Sequence, residues 1–307
     1  MTINEHFAPI LTSPVELVMD LLRSDILVAG DYTKRVEIFS WKEEKWFEIA
    51  SMEDYHRDAS SFIYNDNLFV VGGVGSKSME TLNIKQFPLT WRKFPAELPY
   101  ECWGHQTVVY KQQIFHIGEY IDGKGRSDLI SEINITGTTS HVLKELCHMP
   151  EPRYGHGAVV VDDKVLIFGG EEIYRKALSS VLEFDPRTLT FKEMPPLPHP
   201  MYGMATVQWR DQVVLLGGSD GRETLNSVIM YDCKTGKITV LPSMLEKRFG
   251  CCAVITGDTI VVMGGNYLYS VECFQMGSSS LWTYLPSTNE SRRVAIAEVL
   301  PFGQKYV

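Results

Sequence analysis

The sequence predicts an all-β fold, a six-bladed β-propeller with four antiparallel strands in each blade. Three observations predict it. A short apolar strand ending at glycine returns at a near-constant step along the chain. Each return is followed by two more strand segments marked by large apolar residues. Each is preceded by a strand whose first turn carries a very small residue.

The founding unit is RYGHGAVVVDDKVLIFGG, Arg153 to Gly170. Its two apolar runs, Ala158 to Val161 and Val165 to Phe168, flank the turn Asp162-Asp163-Lys164. Short β-branched runs bounded by turn residues read as a hairpin. The second run recurs as DILVAG (Asp25 to Gly30), LFVVGG, IFHIGE, VLIFGG, VVLLGG and IVVMGG. From Gly30 through Gly72, Gly118, Gly169, Gly217 and Gly264 the steps are 42, 46, 51, 48 and 47 residues. The following third and fourth strands pair Phe39 with Trp46, Leu82 with Trp91, Ile133 with Val142, Phe184 with Phe191, Tyr231 with Ile238, and Phe274 with Trp282. Four strands in each of six units is a propeller arrangement.

The innermost strands follow from a second alignment, on Arg57, Cys102, Arg153, Met201, Arg248 and Arg293. Two residues further on stand Ala59, Gly104, Gly155, Gly203, Gly250 and Ala295, all small enough for strands crowded at an axis. The last copy, near the C-terminus, has no unit of its own, and DILVAG has no first strand. Val294 to Leu300 is therefore expected to supply the inner strand of blade one and remove the open edges. The tail GQKYV has the composition to begin a further second strand. Residues 1–23 stand apart from the propeller of 24–307. Ser13-Pro14-Val15-Glu16 is a capping box with proline at the first helical position, predicting a short helix from Pro14 to about Arg23.

Composition narrows the function. With 44% hydrophobic and 22% charged residues the chain is a globular protein with a sizeable core, and its net charge of -9 argues against nucleic acid or an anionic membrane as the main partner. Six cysteines without CxxC spacing read as reduced thiols, and no secretory leader is evident, so a cytoplasmic location is expected.

The glycine pairs ending at residues 73, 170, 218 and 265, the spaced aromatic pairs, and the phrases SVLEFDPRTLTFKEMPPLP and SVIMYDCKTGKITVLPSM resemble the kelch repeat, most closely the six-bladed kelch domain of kelch-like (BTB-kelch) proteins. The likeness runs from about residue 24 to 300. It departs at Gly118-Glu119 and Ala29-Gly30, where the glycine pair is incomplete. The resemblance implies that loops at one end of the propeller grip a peptide of a partner protein. On that face would stand Tyr55, His56, Arg57, Tyr100, Trp103, Arg153, Tyr154, Tyr202, Arg248, Phe249, Arg292 and Arg293, with Tyr32, Tyr120, Arg126, Tyr174, Arg175, Arg222 and Tyr267 from the other loops. Arginine with aromatic residues is the composition of an interface hot spot, and guanidinium groups suit an acidic peptide. The opposing reading is that the arginines before the inner strands bond neighbouring loop carbonyls.

The resemblance further implies a non-enzymatic module, the substrate-recognition part of a cullin-type ubiquitin ligase, or alternatively a binder of actin or another cytoskeletal protein. BTB and BACK domains would make the cullin contact, and the leading twenty-odd residues are too short to form a BTB fold. The enzyme alternative is a propeller like the copper oxidases or sugar epimerases. His105, His156, Met204 and Cys251 share one register of the inner strands, a set chemically suited to copper. Ser60 and Ile296 complete that ring without a carboxylate, and no nucleophile or phosphate-loop motif appears. The expectation is no catalytic site, no cofactor and no bound metal.

Overall fold

The computed structural model describes residues 23–135, 142–278 and 281–300. Blade one opens with β1 (Ile26–Ala29), β2 (Val36–Ser40) and β3 (Lys45–Ile49). Blade two is β4 (Ser60–Tyr64), β5 (Asn67–Val71), β6 (Met79–Asn83) and β7 (Trp91–Lys93). Blade three holds β8 (Cys102–Trp103), β9 (Gln106–Tyr110), β10 (Gln113–Ile121), β11 (Gly125–Ile133) and β12 (Leu143–His148). Blade four is β13 (Gly157–Val161), β14 (Lys164–Phe168), β15 (Val181–Asp185) and β16 (Thr190–Met194). Blade five is β17 (Ala205–Trp209), β18 (Gln212–Leu216), β19 (Val228–Asp232) and β20 (Ile238–Leu241). Blade six is β21 (Cys251–Thr256), β22 (Thr259–Gly264), β23 (Val271–Gln275) and β24 (Thr283–Leu285). The last strand, β25 (Ile296–Val299), pairs antiparallel with β1, Ile26 opposite Val299, and closes blade one as predicted. All but the final residue of the expected helix, and the GQKYV tail, lie outside the described residues.

Local chemistry sets these strands. The hairpin β13–β14 turns on Asp162 and Asp163 at φ 47° and 63°, the left-handed pair that Asp and Asn tolerate best. Core side chains from adjacent blades interdigitate, for example Leu27 and Ile38 of blade one with Val70, Leu82 and Trp91 of blade two. Fully burying one such side chain contributes about 1.5–3 kcal/mol. The predicted aromatic pairs meet across β15–β16 and β23–β24: Phe184 and Phe191 stack at 5.0 Å, Phe274 and Trp282 at 5.2 Å. In blade three the fourth-strand partner of Ile133 is Leu143 rather than Val142, in a ladder that carries a bulge between Ile130 and Ser131.

The glycine pairs are seams between blades. The second glycine donates its N–H to a carbonyl leading into the next blade: Gly73 to Cys102 (2.9 Å), Gly170 to Met201 (2.8 Å), Gly218 to Arg248 (2.7 Å) and Gly265 to Arg292 (2.6 Å). The first glycine leaves room for that approach. At Gly264, φ is 61° and a Cβ would stand 2.2 Å from the Arg292 carbonyl oxygen.

Nearer the axis a second set of backbone bonds closes on itself. The N–H groups of Gly104, Gly155, Gly203, Gly250, Val294 and Asp58 each donate to the equivalent carbonyl of the preceding blade, at 2.6–3.0 Å. This ring corrects the inner-strand alignment. In blades two and one the ring residues are Asp58 (φ 57°) and Val294 (φ 53°), not Ala59 and Ala295. The equivalents of Arg153 and Arg248 are consequently His56 and Arg292, one position before Arg57 and Arg293.

Candidate partner-binding face

The corrected register divides the predicted binding residues into two layers. Residues just before the ring point into the blades. Arg153, Arg248, Arg292 and His56 are 0% exposed. Arg153 Nη1 donates to the Gly169 carbonyl (2.7 Å) and Nη2 to Glu151 (2.8 Å) and Ser180 Oγ (2.7 Å). Arg248 donates to the Gly264 carbonyl and, through Nε and Nη2, to Glu272 at 3.0 and 2.8 Å. Arg292 holds the Gly30 carbonyl (3.1 Å) and Glu37 (2.6 Å). His56 does the same with its two ring nitrogens, reaching the Gly72 carbonyl (2.7 Å) and Glu80 (3.1 Å). Each therefore ties a seam glycine to its own blade, the carbonyl-bonding role that the sequence left open. Glu37, Glu80 and Glu272 are equally buried and also accept backbone N–H groups of the approaching loop, Glu53 and Asp54 in the case of Glu80. Blade five replaces the ion pair with Met201 and Ile229, both buried.

Residues one step further on, each next to a ring amide, turn outward around the axis. Going round from blade one they are Arg293, Arg57, Trp103, Tyr154, Tyr202 and Phe249, all partly exposed. Four aromatics thus stand in sequence and two arginines sit side by side. Tyr202 and Phe249 meet edge to face at 5.2 Å. Trp103 stacks on Tyr120 at 4.7 Å, and Tyr120 meets Tyr154 at 6.2 Å. Blade three reaches this far because Glu119 replaces the second seam glycine, so β10 and β11 continue as a long hairpin that carries Tyr120 and Arg126.

The arginines are held by rings and acids. The Arg57 guanidinium lies 4.3 Å from the Tyr32 ring centre; Arg293 donates to the Tyr267 hydroxyl (2.8 Å) and lies 5.5 Å from the Phe249 ring. Tyr32 and Tyr267 stack at 6.3 Å. Nε of both Arg57 and Arg293 is buried without a partner. Arg126 bonds Glu171 through Nη2 at 2.6 Å, and its Nε is likewise buried without a partner. Three acids that the sequence reading did not single out complete the floor. Asp58 accepts the Tyr154 hydroxyl (2.8 Å), Asp31 accepts the Arg293 amide (2.8 Å), and Glu171 takes Arg126. Burial pushes the Asp58 carboxyl above its ordinary range, against the Tyr154 hydrogen bond and the charges of Arg57 and Arg293. The hydrogen bond from Arg293 draws the Tyr267 phenol down.

Of the remaining predicted residues, Tyr55, Tyr174, Arg175 and Arg222 are exposed at the periphery. Tyr100 instead turns inward, donating to Glu119 at 2.9 Å. Under the ring, a cavity of about 90 Å³ is lined by His105, His156, Met204 and Cys251, and Ala59 and Ala295 complete the set in place of Ser60 and Ile296. Beyond it, a wider channel of about 560 Å³ runs between the inner strands and carries Glu298. Among the described residues, one group of ligand-type side chains lies within reach of a single ion: Cys102, His105 and His116.

A six-bladed propeller whose loops build a mixed arginine and aromatic mouth is a protein-interaction type of domain. The chain belongs to the KLHDC2/KLHL20/DRC7 Kelch-repeats domain family, whose sequence model matches residues 104–305. It is similar to Kelch-like protein 35 of Mus musculus, 27% identical over 159 residues, which is 50% of this chain and 26% of that protein. It is similar also to Kelch-like protein 38 of Homo sapiens, 24% identical over 146 residues, 46% of this chain and 25% of that protein. The matched stretches thus span about a quarter of each relative. The solved structure of YjhT superposes with a TM-score of 0.70 over 80% of this chain and 88% of its own, at 15% identity, a likeness of fold.

Proposed function

We propose that the outward layer grips an acidic peptide segment of a partner protein, and that the chain works as a non-enzymatic recognition module. The observation that carries this is the adjacency of Arg57 and Arg293, both partly exposed, at the end of an arc of aromatic rings. A guanidinium fork takes both oxygens of a carboxylate through charge-assisted bonds, and the neighbouring rings supply apolar walls. The net charge of -9 does not oppose this, because the positive potential is local. The resemblance to kelch-like proteins supports reading the module as the substrate-recognition part of a cullin-type ubiquitin ligase in the cytoplasm. All six cysteines stand as free thiols, which supports a reducing compartment.

The test is quantitative capture from native cells on immobilised wild-type protein and on a folded Arg57→Ala, Arg293→Ala variant, followed by direct titration of the captured protein. Partners held by the wild type and released by the variant are expected. Undiminished binding by the variant would place recognition on another surface.

A further inference from the structure

Blade three lacks the device that blades one, two, four and six use at the same place, and unlike blade five it does not replace it with apolar side chains alone. Where Arg292, His56, Arg153 and Arg248 stand, it has Cys102, fully buried. Where Glu37, Glu80 and Glu272 stand, it has Ser131. Its second strand carries His116 at a position that is apolar in every other blade (Val28, Val70, Ile167, Leu215, Val262), and Glu119 fills the second glycine position. His105, from the inner strand, stacks on His116 at 4.3 Å between ring centres. A thiol, two imidazoles and a carboxylate thus face one another in the interior.

Their hydrogen bonding is incomplete in a specific way. His116 Nε2 is bonded to Glu119 (2.7 Å), which leaves Nδ1 buried and without a partner. His105 Nε2 is likewise buried and unpartnered. A buried polar atom left unsatisfied is costly, so two such nitrogens on imidazoles that cluster with a thiol call for a ligand. Donor atoms of Cys102, His105 and His116 lie within 4.8 Å of one another, and Cys102 Sγ is 3.9 Å from His105 Nδ1. Tetrahedral zinc holds thiolate and imidazole donors about 3.3–3.6 Å apart, a closure that side-chain torsions supply.

We propose that Cys102, His105 and His116 bind one zinc-type divalent ion, with water from the cavity under the ring in the fourth position. Glu119 is the positioning residue: its bond to His116 Nε2 fixes the ring so that Nδ1 faces the metal, the carboxylate–histidine–metal arrangement common in zinc sites. Tyr100 holds Glu119 in turn. Charge balances, since the thiolate and the Glu119 carboxylate together offset the two positive charges of the ion. The ligand form of Cys102 is the thiolate, so binding releases the thiol proton to solvent. His105 lines the cavity under the ring, which gives the ion a route inward. The sequence groups His105 with His156, on different blades; the structure groups it with Cys102 and His116.

The experiment is titration of the full chain, stripped with chelator, with cobalt(II) as probe. One equivalent should give the visible bands of a tetrahedral ion and a thiolate charge-transfer band, both abolished by competing zinc, and zinc should raise the melting temperature. Cys102→Ser should remove the charge-transfer band, whereas Cys273→Ser should keep it. Glu119→Gln should weaken zinc binding about 10–100-fold. Should Cys102→Ser fail to fold, the wild-type spectrum still decides. No cobalt spectrum and no zinc-dependent shift in melting would overturn the site, and neither outcome bears on the peptide-binding face.

Discussion

The backbone N–H of Asp58 donates to the carbonyl of Val294 at 3.0 Å, joining residues 236 positions apart. It is the link that shuts the six-membered ring of amides at the mouth. The same step of chain sets Arg57 of blade two beside Arg293 of blade one. Closure of the fold and assembly of the candidate site are therefore one event.

Deleting residues 292–307 removes β25, Arg292 and that link together. It leaves the inner edge of β1 without its antiparallel partner and strips Glu37 of its guanidinium partner. Loss of soluble folded protein is expected. A truncated chain with an unchanged melting temperature would show that closure is dispensable.

Arg248 and Glu272 form a buried ion pair whose members also hold backbone groups. Arg248→Met should destabilise by about 3–5 kcal/mol, because Glu272 is left charged and buried. Blade five shows the alternative, Met201 against Ile229. A double-mutant cycle of Arg248→Met and Glu272→Ile, read by urea unfolding, should therefore give a coupling of about 2 kcal/mol or more. Additive effects would mean that the two side chains act independently.

Glycine is required at the seams for space, not only for backbone freedom. Gly264→Ala places a methyl against the Arg292 carbonyl and should cost at least about 3 kcal/mol. Gly123, also left-handed at φ 72° but with nothing near its would-be Cβ, should cost about 1–2 kcal/mol as alanine. Equal losses in thermal unfolding would remove the steric argument.

Glu298, on β25, faces the channel and accepts the Ser61 hydroxyl at 2.7 Å. Burial raises its carboxyl to about 7 in the folded chain, from the ordinary 4.5. The folded state therefore binds more protons than the unfolded one between those values, so this stability is present below about pH 4.5 and lost as pH rises through about 7. Glu298→Gln should melt higher than the wild type at pH 8 and no higher at pH 4.5. The reverse ordering would contradict the assignment.

The repeat was legible because seam glycines, strand runs and aromatic pairs answer to geometry that recurs in each blade. The reading failed where a blade solves the same problem with other residues. Asp58 and Val294 adopt the left-handed conformation that glycine supplies elsewhere, so the small residues Ala59 and Ala295 stand one position late. His56 performs an arginine's task and so escaped the arginine pattern. That slip placed Arg153 and Arg248 in the same layer as Arg57, although the first two are buried and the third borders the mouth. The acids Asp31, Asp58 and Glu171 carry no sequence signal beyond their charge, because only the fold brings them under the arginines. Cys102, His116 and Glu119 look like decay of the repeat until their side chains are seen together.

We propose that the outward layer recognises a partner while the inner arginines hold the blades. The most direct measurement is the affinity of an acidic partner segment for Arg57→Ala and Arg293→Ala, each confirmed folded by its melting temperature, with Arg210→Ala as control; Arg210 lies exposed in the turn between β17 and β18. Each mouth substitution should cost roughly 2 kcal/mol, about thirtyfold in Kd, with lysine restoring only part, and the control should bind as the wild type. Full affinity in the folded Arg57→Ala, Arg293→Ala double variant would contradict the account.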